Sequence, residues 1–88
     1  MADIFERVRT VLAKNQRIPE EKITIDTTFE ELGMDSLDGM NLVFAIEEEF
    51  DINIPDEEVR KILNVRQMTE GVEQLVAARA GGTATPGN

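Results

Sequence analysis

Apolar residues recur at helical spacing in three separate stretches of this chain. Ile4, Phe5, Val8, Val11 and Leu12 fall on one stripe. Asp3 precedes it and Glu6 follows three residues on, the signature of a capping box at a helix start. Arg7, Arg9 and Lys14 lie largely off the stripe. The pattern should fade near Asn15 or Gln16, because Ile18-Pro19 forces the chain toward an extended form.

A second helix is expected from about Ser36 to Glu49, with Asp35 as N-cap and Asp38 in the first turn, where a carboxylate suits the positive end of the dipole. It carries two stripes. Gly39, Leu42, Val43, Ile46 and Phe50 have the spacing of a core face, while Leu37, Met40 and Phe44 lie on a neighbouring face. A helix with two stripes is either deeply buried or offers one of them to a partner. Gly39 costs roughly 1 kcal/mol relative to Ala inside a helix, which suggests a close-packing reason.

Asp56-Glu57-Glu58-Val59-Arg60-Lys61-Ile62 reads as a short helix, acids first and bases last. Asn64 and Gln67 offer another capping box. The last helix turns Val65, Met68, Val72, Leu75 and Val76 toward the core and should end near Ala80. Between the first two helices runs a long connection, residues 17–35. Its Ile18, Ile23, Ile25, Phe29 and Leu32 are spaced to dock on a core, and Thr27 to Leu32 could hold a helical turn. Gly33 suits a positive φ after that turn. The sum is an all-α fold: a small four-helix bundle of three main helices and one short one, with a long loop between helices 1 and 2. One domain over 1–80 is expected, followed by a disordered tail, 81–88, that has no large apolar residue.

Charge sharpens this picture. The 88 residues carry a net −9, but residues 20–58 hold fourteen acids against Lys22 alone, while the segments on either side are each +2. Such an acidic middle repels nucleic acid and anionic membranes and steers basic protein surfaces; it also equally suits a merely solvated face. Self-repulsion favours a monomer. No apolar run is long enough to span a bilayer, the first residues lack a signal pattern, and cysteine is absent, all of which suit a soluble cytoplasmic protein without membrane insertion.

With neither histidine nor cysteine, the chain cannot assemble a Ser-His-Asp or Cys-His site. Ser36, between Asp35 and Leu37-Asp38 at a helix start, is therefore better read as the target of another enzyme than as a nucleophile. No enzyme activity is expected. The Glu47-Glu48-Glu49-Asp51 cluster has oxygen ligands that could hold Ca²⁺ weakly, without EF-hand spacing, so no essential metal is expected.

Gly33-Met34-Asp35-Ser36-Leu37-Asp38, then Leu42-Val43 and the run from Glu47 to Glu57, resemble an acyl carrier protein of the stand-alone, type II kind. The likeness covers about residues 3 to 77. It implies that a phosphopantetheinyl transferase attaches 4′-phosphopantetheine from coenzyme A to Ser36, Asp35 assisting with the transferase's Mg²⁺. The arm would then carry acyl groups as thioesters between enzymes of fatty acid, lipid or polyketide-type biosynthesis. Leu37, Met40 and Phe44 would meet dents on acyl-loading, ketosynthase or acyltransferase partners, and Asp35, Asp38, Glu47 and Glu48 would pair with basic residues around them. The core face, with room left by Gly39, would receive the acyl chain. Several positions depart from the family's pattern. Asn41 is neutral where glutamate is common, Phe44 is bulkier than usual, and Thr69 and Gly71 replace larger apolar residues, so the last helix is expected to pack loosely. These departures point to a specialised carrier, with a housekeeping fatty-acid carrier close behind. The alternatives are an aminoacyl or peptidyl carrier, and an unmodified acidic helical regulator that binds a basic partner.

Overall fold

A computed structural model describes residues 3–81, with side chains described through Arg79. Four α-helices follow in order: α1 (Ile4–Gln16), α2 (Ser36–Phe50), α3 (Asp56–Val59) and α4 (Val65–Gly81), with a 3-10 turn at Glu20–Lys22. The expected bundle is thus present. Among the described residues the only β pairing is an isolated antiparallel bridge between Thr28 and Asn64.

α1 starts where the sequence places it. The Asp3 carboxylate accepts from Glu6 N at 2.8 Å, the forward half of the expected box. Arg17 ends the helix in the left-handed region, φ 59°, its N–H bonded to Ala13 O. α1 packs against both α2 and α4. Val8, Leu12 and Ala13 are buried there with Leu42, Val43, Ile46 and Phe50 of α2 and Val65, Met68 and Val72 of α4. Ile23 and Ile54 complete the buried set from the connections.

Arg7 ties α1 to the far end of α2. Its Nη2 donates to Glu49 Oε2 at 3.0 Å and to the Glu49 carbonyl at 3.1 Å, and its guanidinium lies 4.3 Å from the Phe50 ring centroid. A cation at a helix C-terminus meets the negative end of the dipole, and the aromatic face adds a cation–π contact. Asp51 then turns left-handed, φ 55°, and ends α2 before the extended run to Pro55.

The long connection is packed, as expected. Ile23 is buried, while Ile18, Ile25, Phe29 and Leu32 lie partly buried on the core. Thr28 and Glu31 cap the turn between them reciprocally, at 2.7 and 3.1 Å. Gly33 follows it with φ +72°. Phe29 N bonds to Leu63 O and Val65 N to Thr27 O, latching this loop to the start of α4. Arg66 donates to Asp26 at 2.7 Å beside the latch; that hydrogen bond, then charge attraction, raises the guanidinium pKa above its ordinary value.

Some expectations need correction. α3 is four residues long rather than seven: past Val59 the bonds tighten to i→i+3, Lys61 N to Glu58 O and Ile62 N to Val59 O. At Asn64 the cap is skewed. Gln67 N donates to Asn64 Oδ1, but the Gln67 side-chain Oε1 accepts from Leu63 N instead of closing the box. α4 extends to Gly81, one residue into the expected tail; residues 82–88 lie outside the described residues. Thr69 is buried, and its hydroxyl has no hydrogen-bond partner.

Candidate functional site

Ser36 is the first residue of α2 and is exposed. The helix start beneath it is held by two carboxylates. Asp38 N donates to Asp35 Oδ1 at 2.9 Å, and Asp35 N donates to Asp38 Oδ2 at 3.3 Å, a reciprocal capping box. Each carboxylate commits one oxygen to the backbone and keeps the other. The first helical bond, Gly39 N to Asp35 O at 3.0 Å, fixes the turn that carries the hydroxyl. A rigid helix start with unpaired N–H groups nearby favours a phosphate ester.

Beside Ser36 opens a cavity of 370 Å³. Ser36, Gly39 and Met40 stand on its α2 side, and Val59, Ile62 and Leu63 on the side of α3 and its following turn. Phe29, Met34 and Met68 close it, so most of the wall is apolar. Apart from its own stretch of helix, no atom lies within 4 Å of a Cβ built on Gly39. Close packing is thus not the reason for that glycine; it leaves the cavity mouth open.

The second stripe of α2 faces outward. Leu37 is 68% exposed, Met40 47% and Phe44 58%, and Leu63, from the turn after α3, is 66% exposed. Sequence reasoning missed Leu63, which follows the short α3 and belongs to no stripe. It missed Arg60 as well, a cation at the cavity lined by Ser36; only the three-dimensional return of α3 toward α2 reveals that neighbourhood.

The acidic residues divide by role. Glu48 and Asn41 are exposed on α2. Glu47 is half-buried, and its Oε2 accepts from Ile54 N at 2.8 Å, so it also braces the chain after α2. Glu49 pairs with Arg7, and Asp51 with Arg79 at 2.6 Å. Glu49 and Asp51 are thus spent on ion pairs, while Glu47 commits only one of its oxygens. No group of three or more potential metal ligands is found among the described residues.

A family model described as "Phosphopantetheine attachment site" matches residues 6–72. The chain belongs to that family. An acyl carrier protein from Guillardia theta is 42% identical over 77 residues, spanning 86% of this chain and 95% of its own length. The crystal structure of an acyl carrier protein from Thermotoga maritima superposes with a TM-score of 0.62 at 34% identity, covering 80% of this chain and 91% of that one. The protein is therefore a non-enzymatic acyl carrier that uses 4′-phosphopantetheine. Its family implies dealings with a phosphopantetheinyl transferase and with biosynthetic enzymes. No helix of the described residues is long and apolar enough to cross a membrane.

Proposed function

We propose that Ser36 carries the arm and that this carrier serves a dedicated set of acyl-handling enzymes. The observation that carries the assignment is the placing of Ser36. It is an exposed hydroxyl on the first residue of α2, at the mouth of a largely apolar cavity. Ser36 Oγ would attack the pyrophosphate of coenzyme A at the phosphorus bonded to the pantetheine oxygen. The new P–O bond completes a phosphodiester, adenosine 3′,5′-bisphosphate leaves, and the hydroxyl proton passes to a base of the transferase. Asp35 keeps one carboxylate oxygen for the transferase's Mg²⁺ while the other holds the helix cap. The arm, once bound, supplies the thiol on which an acyl group is held as a thioester.

Leu37, Met40 and Phe44 form the partner face, with Asp38, Glu47 and Glu48 around it. A small apolar centre with a charged rim suits brief, steered encounters. The exposed ring of Phe44 and the neutral, exposed Asn41 favour dedicated partners over the general fatty-acid enzymes. The apolar cavity favours an acyl cargo over an aminoacyl one.

Intact mass after incubation with coenzyme A, Mg²⁺ and a broad-specificity transferase tests the attachment. A gain of one phosphopantetheine in the wild type, absent in Ser36→Ala, is expected; a gain in the mutant would place the site elsewhere. Turnover of the loaded carrier by general malonyl transferase and ketosynthase tests specialisation, which rates equal to a standard carrier's would refute.

A further inference from the structure

Nine cations offset part of the acidic charge of this chain. Five of them, Arg7, Arg9, Lys61, Arg66 and Arg79, are held in ion pairs. Among the described residues Lys14, Arg17, Lys22 and Arg60 make none. Of these four, Arg60 alone lines the cavity that opens beside Ser36. Its backbone is fixed at the end of α3, with φ −64° and ψ −22° and its N–H bonded to Asp56 O at 3.2 Å. Its side chain is exposed and uncommitted. Asp56 and Glu57 precede it at the spacings that join acid to base along a helix, yet neither holds it, and Glu58 is taken by Lys61 at 3.7 Å.

A phosphodiester on Ser36 Oγ would add a negative charge at the same cavity, where Asp35 already stands on the wall. The first N–H groups of α2 offset part of that charge. Two of them are spent, however: Asp38 N on Asp35 Oδ1 and Gly39 N on the Asp35 carbonyl. Arg60 is the cation that the cavity provides. A guanidinium is a planar fork that matches two phosphate oxygens. Resting on the carrier reading above, we propose that Arg60 pairs with the phosphate of the arm and lays the first stretch of the arm across the cavity mouth, from α2 toward α3. Arg60 is then a positioning residue. It acts on the phosphate rather than on the thioester, and it limits where the thiol can go. A partner enzyme that brings its own cation to the phosphate would displace Arg60 and free the arm on docking.

The test is a cycle between the arm and the side chain. Melting temperatures are taken for the apo and arm-bearing forms of wild type, Arg60→Gln and Lys14→Gln, with intact mass confirming each arm-bearing product. Lys14→Gln removes the same charge from an exposed site outside the cavity. Arg60→Gln should cost the arm-bearing form about 2–4 °C more than the apo form, the effect of a solvent-screened pair in a domain of this size. Lys14→Gln should cost both forms equally. Equal losses for Arg60→Gln would overturn the inference while leaving the carrier reading intact, and so would a matching excess in Lys14→Gln, which would mean a general charge effect. Absence of the mass gain in the wild type would overturn the attachment reading, and this inference with it. Nuclear magnetic resonance adds a readout that stability alone does not move. Adding the arm should shift the Arg60 Nε–Hε signal but not that of Arg17, and the shift should fade toward about 1 M salt, where the screening length is about 3 Å. The phosphorus resonance of the arm should differ between wild type and Arg60→Gln, with Arg60→Lys, which keeps the charge but not the fork, in between. An Arg60 signal unmoved by the arm, or one phosphorus resonance common to all three proteins, would overturn the inference.

Discussion

Replacing Gly71 by alanine should make the unloaded carrier more stable. Gly71 is the seventh residue of the 17-residue α4, far from both ends. Glycine in such a position is about 0.8–1.0 kcal/mol worse than alanine, because the unfolded chain gives up more backbone freedom. The new methyl meets only Ile62 Cδ1, at 4.0 Å, an ordinary van der Waals contact, so no clash offsets the gain. Its half-buried surface adds a few tenths of a kcal/mol at most. The total is about 1 kcal/mol, equivalent to a rise in melting temperature of roughly 4–8 °C for a domain of this size. Urea titration followed by helical circular dichroism gives the free energy directly, with an unchanged m value expected. Gly33→Ala supplies the contrast. The substitution is the same, but at φ +72° it should destabilise by about 1 kcal/mol or more through left-handed strain. A Gly71→Ala midpoint equal to or below that of the wild type would refute the reasoning. It would mean that α4 draws stability from a backbone arrangement a Cβ disturbs.

Ser36→Ala should block loading while leaving the melting temperature within about 2–4 °C, since Ser36 is exposed and the cap belongs to Asp35; a large loss would give the hydroxyl a structural role. Phe44→Ala should leave stability nearly unchanged and slow acyl transfer with cognate enzymes by about tenfold, the cost typical of an interface anchor; unimpaired transfer would remove Phe44 from the partner face. Arg7→Met should cost about 1 kcal/mol, because the partly exposed clamp on Glu49 and Phe50 is screened by solvent; an unchanged denaturation midpoint would show the clamp contributes nothing. Millimolar Ca²⁺ should raise the melting temperature of the unloaded form by screening the acidic middle segment; insensitivity would mean that the ion pairs to Arg7, Arg66 and Arg79 already offset the repulsion.

The helices were legible because their signals are local. Asp3, Asp35 and Asn64 each precede an apolar period and each proves to be a cap. The two faces of α2 were legible for the same reason, since periodicity alone separates Leu42 and Ile46 from Leu37 and Phe44. What the pattern could not give depends on distant segments meeting. The return of Ile62 and Leu63 toward α2 makes the cavity, and the clamp of Arg7 on the end of α2 spans 42 positions of sequence. Gly39 shows the difference most directly. A helical glycine signals that something needs space, but only the fold tells whether that is a neighbouring backbone or an opening. The Glu47 to Asp51 cluster makes the same point: neighbours in sequence, Glu47, Glu49 and Asp51 turn to Ile54, Arg7 and Arg79.

α3 is a single turn held at two points. Pro55 stiffens the chain before it, and the bridge from residues 27–29 to 63–65 pins the chain after it. Between those anchors only Val59 and Ile62 grip the core, and each is only partly buried. In mechanical terms α3 is a compliant panel in an otherwise stiff frame of three longer helices. A load applied from inside would bow this panel before it parted α1 from α2 or α4. The frame, with Ser36 and the outward face of α2 mounted on it, would keep its shape while the panel moved. Enzymes docking on α2 would therefore meet the same surface whatever the carrier holds, and news of the cargo would reach the outside only through the panel, at Arg60 and Leu63.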